Sequence, residues 1–302
     1  MMTTEQPAWQ LLPGENNYRV PVKAFLAETA TVAGGVSIAI LPALGVSVAY
    51  YEPLAQALQE AGHDAYLVEQ RGHGESELRP SRNENYGFRE MLGDIDVAVV
   101  HIRSQAANKP LFLLGHSLGG HLSCMYAGWR GVEYVDGVIL AACGTPWIKA
   151  YDGIDAMRLR ALYHLIPISR RLLGYYPGDK FGFGGREARG MMMDWRQMAG
   201  RNRYLARGMK VDFEQGIRCY PGRVLTVRMT DDEFAQSDAV AKVWQKFKQA
   251  RRSHRLFDEK TLGATADHFR WARRPNAVCT AVNSWVREEA PDGAGWQPEV
   301  AP

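Results

Sequence analysis

Short runs that are almost wholly apolar alternate along this chain with longer stretches in which apolar residues recur every three or four positions. Val36 to Leu44, Asp64 to Glu69, Leu111 to Leu114, Val135 to Ala142 and Arg223 to Met229 have the length and type of strands buried on both faces. Between them, residues 50–61 place Leu54, Ala57, Leu58 and Ala61 at helical spacing before Gly62, a natural helix stop. Residues 86–106 carry Met91, Ile95, Val99 and Ile102 on one stripe. Ser237 to Ala250 and Asn276 to Glu289 read as two further helices, and His254 to Phe257 as a short last strand. Tyr18 to Glu28 alternates imperfectly, as an edge or antiparallel strand does, after a loose lead-in over 1–16. The Pro-, Gly- and acid-containing tail from Pro291 is expected to fray. Strands alternating with helices predict an α/β fold with a mainly parallel sheet covered on both faces.

The alternation stops at Gly144-Thr145-Pro146 and resumes only near Tyr220. Residues 145–221 contain helical pieces, Pro and Gly punctuation, and no strong strand. They carry 14 Lys and Arg against 7 Asp and Glu, whereas the whole chain of 302 residues has a net charge of only +3. The pattern predicts a core made of 1–144 and 222–302, interrupted by a basic, mostly helical cap over 145–221. So small a net charge does not suit a nucleic-acid binder. No apolar run approaches the roughly 18 residues of a membrane span. The first residues lack the basic and apolar regions of a signal peptide. The four cysteines show no zinc or disulfide spacing, and a cytoplasmic protein is expected.

The candidate chemistry lies at Pro110 to Gly120, P-L-F-L-L-G-H-S-L-G-G. Strand, G-x-S-x-G and helix in that order form the context of a nucleophile elbow, with Ser117 at its tip. A Cβ at position 115 or 119 would collide with the neighbouring strand and helix. A serine hydroxyl needs a base within reach, and the base needs an orienting carboxylate. In the order Ser, acid, His, Asp232 follows the Arg223 to Met229 strand and His268 follows the last strand. Asp231 is the alternative acid, and His73, in the glycine-rich turn Gln70 to Ser76, is the competing histidine. The oxyanion formed on attack needs donors. Leu118 N–H, which opens a helix, is one; Val46 N–H, after the Val36 to Leu44 strand, is the second, with Ser47 as alternative.

Together these pieces resemble the α/β-hydrolase superfamily from about Val36 to Arg287: the loop L-G-V, the turn R-G-H-G-E-S, the elbow G-H-S-L-G-G, the D-D after a strand and the late D-H-F. The R-G-x-G-x-S turn and the cap between core strands are similar to the lipase, esterase and serine-aminopeptidase-like branch. Asp194-Trp195-Arg196 with Arg203-Tyr204 is similar to a bacterial subgroup of it. The resemblance implies an eight-stranded, mainly parallel sheet and ester hydrolysis through an acyl-enzyme, with no cofactor and no metal. Relatives often carry His-Gly before the oxyanion residue, where this chain has Leu44-Gly45. Serine rather than aspartate at the nucleophile position argues against dehalogenase or epoxide hydrolase chemistry.

The expected activity is cleavage of a small acyl ester by Ser117, His268 and Asp232. Two alternatives stand beside it. One is thioester cleavage or acyl transfer from CoA or an anionic carrier bound at the basic cap. The other is a silent ligand-binding member of the fold.

Overall fold

Successive residues of the central strands point to opposite faces of one sheet, and both faces are covered. The structure, a computed structural model, describes residues 7–28 and 35–288. In β3 (Ser37–Leu41) and β5 (Leu111–His116), Ala39 and Leu113 enter one core cluster, whereas Ile38, Ile40, Phe112 and Leu114 enter the other. Strands apolar on both sides therefore need two helical layers. The first contains α2 (Phe88–Gln105) and α3 (Leu118–Arg130), with Met91, Ile95, Val99 and Ile102 turned inward as the helical stripe predicts. The second contains α1 (Glu52–Glu60) and α10 (Asn276–Arg287), which bring Leu54, Leu58, Val278, Val282 and Trp285 to the opposite face.

The sheet has eight strands in the order β1-β2-β4-β3-β5-β6-β9-β10. The remaining strands are β1 (Trp9–Pro13), β2 (Arg19–Phe25), β4 (Asp64–Val68), β6 (Gly137–Ala141), β9 (Arg223–Met229) and β10 (Arg251–Phe257). From β4 to β10 every pairing is parallel, while β2 runs antiparallel to both β1 and β4. The C-terminal ends of six strands thus share one rim, where ligands bind in such sheets.

Differences from expectation concentrate at the edges. β1 lies within the expected lead-in; its side chains are largely solvent-facing, so it has no apolar signature. β10 begins at Arg251, earlier than the expected His254, because a half-covered edge strand tolerates the polar run R-R-S-H-R. The helix expected over 237–250 stops early, as α8 (Ser237–Trp244). The frayed tail expected from Pro291 lies outside the described residues.

Between β6 and β9 the chain forms α4 (Gly153–Leu172), β7 (Tyr175–Pro177), α5 (Gly178–Phe181), β8 (Arg186–Ala188), α6 (Arg189–Arg201) and α7 (Phe213–Cys219). β7 and β8 pair as a small antiparallel ribbon, too short to register in the sequence pattern. α4 and α6 pack on each other, and Arg196 stacks over Tyr163 at 3.8 Å. α7 lies against α3, where a Cβ on Gly216 would come within 1.8 Å of Gly128 O. After β10, α9 (Glu259–Leu262) leads toward the rim. Among the described residues, no helix is long and apolar enough to cross a membrane.

Candidate active site

Ser117 sits between β5 and α3 with φ 51° and ψ −111°, a conformation rare for a residue with a Cβ. Its N–H donates to Ala141 O of the neighbouring strand at 3.0 Å, and its carbonyl accepts from His121 N, starting the helix. The flanking glycines have the steric reason the motif implies. A Cβ on Gly115 would stand 2.3 Å from Gly119 C, and one on Gly119 would stand 2.3 Å from Leu41 O. Strand, turn and helix can approach this closely only without side chains there. The Leu118 N–H lies in the first turn of α3, where unpaired amides and the helix dipole favour negative charge.

On the same rim, His268 Nδ1 lies 2.8 Å from both Asp232 carboxylate oxygens, and both residues are buried. Asp232 follows β9, and its Oδ1 also accepts from Phe234 N at 2.9 Å and Ala235 N at 2.8 Å. The carboxylate is therefore pinned by the loop it belongs to before it orients the imidazole. Asp231 is exposed, with its N–H donating to Ala266 O; of the two candidate acids, Asp232 is the one that meets His268. The Trp271 indole N–H donates to His268 O at 3.0 Å and fixes the loop from the other side. With Nδ1–H held by Asp232, His268 Nε2 is left as the acceptor.

His116, next to the serine, extends this packing. Its ring lies 4.8 Å from that of His268 and 5.2 Å from that of Trp271. The Tyr51 hydroxyl accepts from Ala43 N–H at 3.1 Å and is hydrogen-bonded to His116 Nδ1 at 2.6 Å. Burial, reinforced by the nearby His268, pushes the His116 pKa well down. The role of His116 in tying the loop after β3 to the elbow depends on Tyr51, 65 residues earlier.

The structure corrects the expected second oxyanion donor. The Val46 N–H donates to Ala43 O at 3.2 Å, closing a four-residue turn in which Gly45 takes φ +76°. That single proton is used within the loop, so Val46 is not a free donor. Ser47, the neighbouring alternative, has its side chain engaged in the loop, the hydroxyl donating to Glu69 Oε2 at 2.8 Å. Glu69 is fully buried at the end of β4 and also accepts from Val48 N at 3.0 Å. Glu69 and Tyr51 thereby order the loop that holds Leu44-Gly45.

His73, the competing histidine, is committed elsewhere. Its Nε2 lies 3.0 Å from Glu187 Oε2, with the two side chains 10% and 0% exposed. Glu187 belongs to β8, so this contact ties the insertion to the turn after β4. Beside it, Gly185 packs on Gly45 so closely that a Cβ on Gly45 would lie 2.2 Å from Gly185 N. Phe183 stacks with Phe234 at 6.4 Å, and Phe234 with His268 at 5.1 Å. The 183–187 segment therefore covers the rim over the 43–46 turn and toward His268. Nothing in the local sequence marks Glu187, since its partner is 114 residues away.

This contact makes a pH-dependent prediction. Burial works against charge on His73, but the Glu187 carboxylate outweighs it and raises the His73 pKa above the ordinary 6.5. The stabilisation is then complete below the ordinary value and lost as pH rises through the raised one. Glu187→Gln should lower the melting temperature more at pH 5.5 than at pH 9, by about 2–4 °C for ~1 kcal/mol. Equal losses at both pH values, followed by circular dichroism, would refute a charged pair.

Residues of the proposed subgroup motif join the insertion to the core. Asp194 Oδ2 accepts from Phe88 N at 3.0 Å, supplying the cap that Gly87 lacks at the start of α2. Its Oδ1 accepts from Arg207 Nε at 2.6 Å. The Tyr204 hydroxyl meets His121 Nδ1 at 2.8 Å on α3. Among the described residues, no group of three His, Cys, Asp or Glu side chains could hold a metal ion.

Residues 36–174 match the family described as serine aminopeptidase, S33. Over 124 residues the chain is 35% identical to a protein named for carbamate hydrolysis, RutD of Variovorax paradoxus strain S110. That match covers 41% of this chain and 44% of the relative, so the chain spans less than half the length of that curated relative. A soluble variant of the monoglyceride lipase from Saccharomyces cerevisiae superposes with TM-score 0.69 at 15% identity, covering 96% of this chain and 98% of the other. An esterase from Exiguobacterium antarcticum superposes with TM-score 0.62, also at 15% identity, covering 93% and 100%. At these identities the structural likeness carries the fold.

Proposed function

We propose that this chain, which has the fold of the α/β-hydrolases and matches the serine aminopeptidase, S33 family over residues 36–174, is a serine hydrolase of the lipase, esterase and serine-aminopeptidase-like branch that cleaves small carboxylic esters. The observation that carries this reading is the buried His268–Asp232 contact on the rim that also bears the strained Ser117. In the proposed cycle Ser117 Oγ attacks the ester carbonyl while His268 Nε2 takes the hydroxyl proton. Asp232 holds Nδ1–H and stabilises the imidazolium. The protonated His268 then gives its proton to the departing alcohol, leaving an acyl-enzyme. Water, deprotonated by His268, attacks the acyl carbon, and as the second tetrahedral intermediate collapses His268 returns the proton to Ser117 Oγ, releasing the acid.

Leu118 N–H is one proposed oxyanion donor. For the second we propose Leu44 in place of Val46. It is the first central residue of the 43–46 turn, a position whose N–H the turn itself does not use. Elbow and loop are already in contact, because Gly119 packs on the backbone of Leu41 and Pro42. Buried free thiols at Cys124, Cys143 and Cys279 suit the cytoplasm.

The test is labelling with a fluorophosphonate probe together with hydrolysis of short p-nitrophenyl esters. Wild-type protein should label and turn over, and Ser117→Ala should do neither, with a loss in kcat of about 10⁴-fold or more. Turnover that survives Ser117→Ala would remove the assignment. A wild type that neither labels nor turns over would favour the silent ligand-binding reading.

A further inference from the structure

Away from the Ser117 rim, a concavity of about 510 Å³ is lined by Arg82, Pro167, Arg170, Arg171, Gly174 and Arg189. Four of its six lining residues are arginines. They converge from three segments: Arg82 from the loop before α2, Arg170 and Arg171 from the last turn of α4, and Arg189 from the start of α6. Among the described residues, none of the four forms an ion pair. Glu187, two residues before Arg189, is turned away to His73. Four guanidinium groups around one hollow repel one another unless something negative stands between them.

Part of this charge has a structural use. Arg189 Nη1 donates to Arg82 O at 2.8 Å and to Gly174 O at 3.3 Å, and Arg82 Nη2 donates to Leu172 O. These contacts satisfy backbone carbonyls just beyond and within the last turn of α4, where a helix end carries partial negative charge. They also require a close approach, since a Cβ on Gly174 would lie 2.8 Å from Arg82 Cα. Arg82 and Arg189 are thereby fixed in place, and each guanidinium keeps further N–H groups beyond those contacts. Arg170 and Arg171 are exposed, and among the described residues no side-chain hydrogen bond of theirs is seen. Two anchored and two unengaged guanidinium forks around a hollow of ligand size suit oxyanions bound bidentately.

We propose that this hollow is a binding site for a phosphate-bearing anion, separate from the hydrolytic site. The anion bridges α4 to the 80–87 loop and to α6, so that occupancy tightens the insertion against the core. This assignment does not depend on ester hydrolysis at Ser117. Two sources offer such a phosphate: a soluble molecule, including a phosphorylated acyl carrier such as CoA, and a lipid headgroup. The chemistry at the arginines is the same for both, and Ile168 and Leu172, 52% and 66% exposed on the adjoining turns of α4, leave a lipid source open to test.

The experiment uses full-length protein and inorganic pyrophosphate, read by isothermal titration and thermal melting against sodium chloride of equal ionic strength. A second arm measures co-flotation with vesicles of phosphatidylcholine alone or with phosphatidylglycerol. Arg170→Gln/Arg171→Gln removes two wall charges at exposed positions. Arg158→Gln/Arg160→Gln removes the same charge from the same helix outside the hollow.

Saturable pyrophosphate binding near one per chain, with a raised melting temperature, is expected. The 170/171 variant should bind on the order of tenfold or more weakly, and the 158/160 variant like wild type. Binding to phosphatidylglycerol vesicles that shows the same variant pattern without pyrophosphate binding assigns the site to a lipid headgroup and equally supports it. Absence of binding in both arms, or equal weakening by the two double variants, overturns the proposal.

Discussion

Asp232→Asn should lower kcat on a p-nitrophenyl ester by about 10⁴-fold, with the fold unchanged, because it imposes the wrong tautomer on His268. The local hydrogen bonds explain why. Asp232 Oδ1 accepts from both Phe234 N and Ala235 N, while each carboxylate oxygen stands 2.8 Å from His268 Nδ1. In asparagine, only the carbonyl oxygen can take the two backbone donors, so the amide nitrogen occupies the place of Oδ2. It then presents N–H to Nδ1, which must become an acceptor, and the imidazole proton moves to Nε2. A histidine protonated there cannot take the proton from Ser117. Asp231→Asn is the matched control, because Asp231 is exposed and Asp232 is the carboxylate bonded to His268. It should stay within about twofold of wild type, as surface substitutions away from such features do. Steady-state kinetics on both variants, with circular dichroism as the fold check, decides the matter. An Asp232→Asn enzyme that keeps a tenth of wild-type kcat, or an Asp231→Asn enzyme equally impaired, would overturn the assignment of the acid.

What could be read in advance follows the range over which each feature is encoded. The buried strands are legible because period-two burial on both faces produces nearly unbroken apolar runs such as Leu111 to Leu114. Ser117 is legible because its strand, turn and helix are contiguous. Asp232 and His268 are legible because each comes after a strand, Asp232 directly and His268 beyond α9, and the parallel sheet brings strand ends to one rim. β1 escapes detection since an exposed edge strand needs no apolar pattern. The Val46 expectation fails on a turn: which N–H faces outward is set by the Ala43–Val46 hydrogen bond, not by residue type. Glu187 and the four arginines escape for a different reason. Their partners lie across long sequence separations, and only the folded path of the insertion brings Arg82 beside Arg170, Arg171 and Arg189.

Gly45→Ala should reduce kcat by about 10²–10³-fold, the effect of removing one oxyanion donor. Two constraints meet at this residue. Its φ of +76° lies in the left-handed region, which adds about 1–2 kcal/mol for a residue with a Cβ. The new methyl would also stand 2.2 Å from Gly185 N and 2.5 Å from Gly184 C, both backbone atoms that no rotamer can move aside. Either the 43–46 turn shifts or the 183–187 segment lifts from it. A shifted turn displaces Leu44 N–H, and a lifted segment strains the His73–Glu187 contact and the Phe183–Phe234 stacking beside His268. Gly263→Ala separates conformational strain from this crowding. Gly263 ends α9 at φ 66°, and a Cβ there meets no atom within 4 Å. It should lose a few degrees of melting temperature, on the scale of about 1 kcal/mol, and keep its kcat. If Gly45→Ala shows the same small thermal loss and kcat within threefold of wild type, the 43–46 turn does not set the geometry of the oxyanion, and the second donor must be sought outside it.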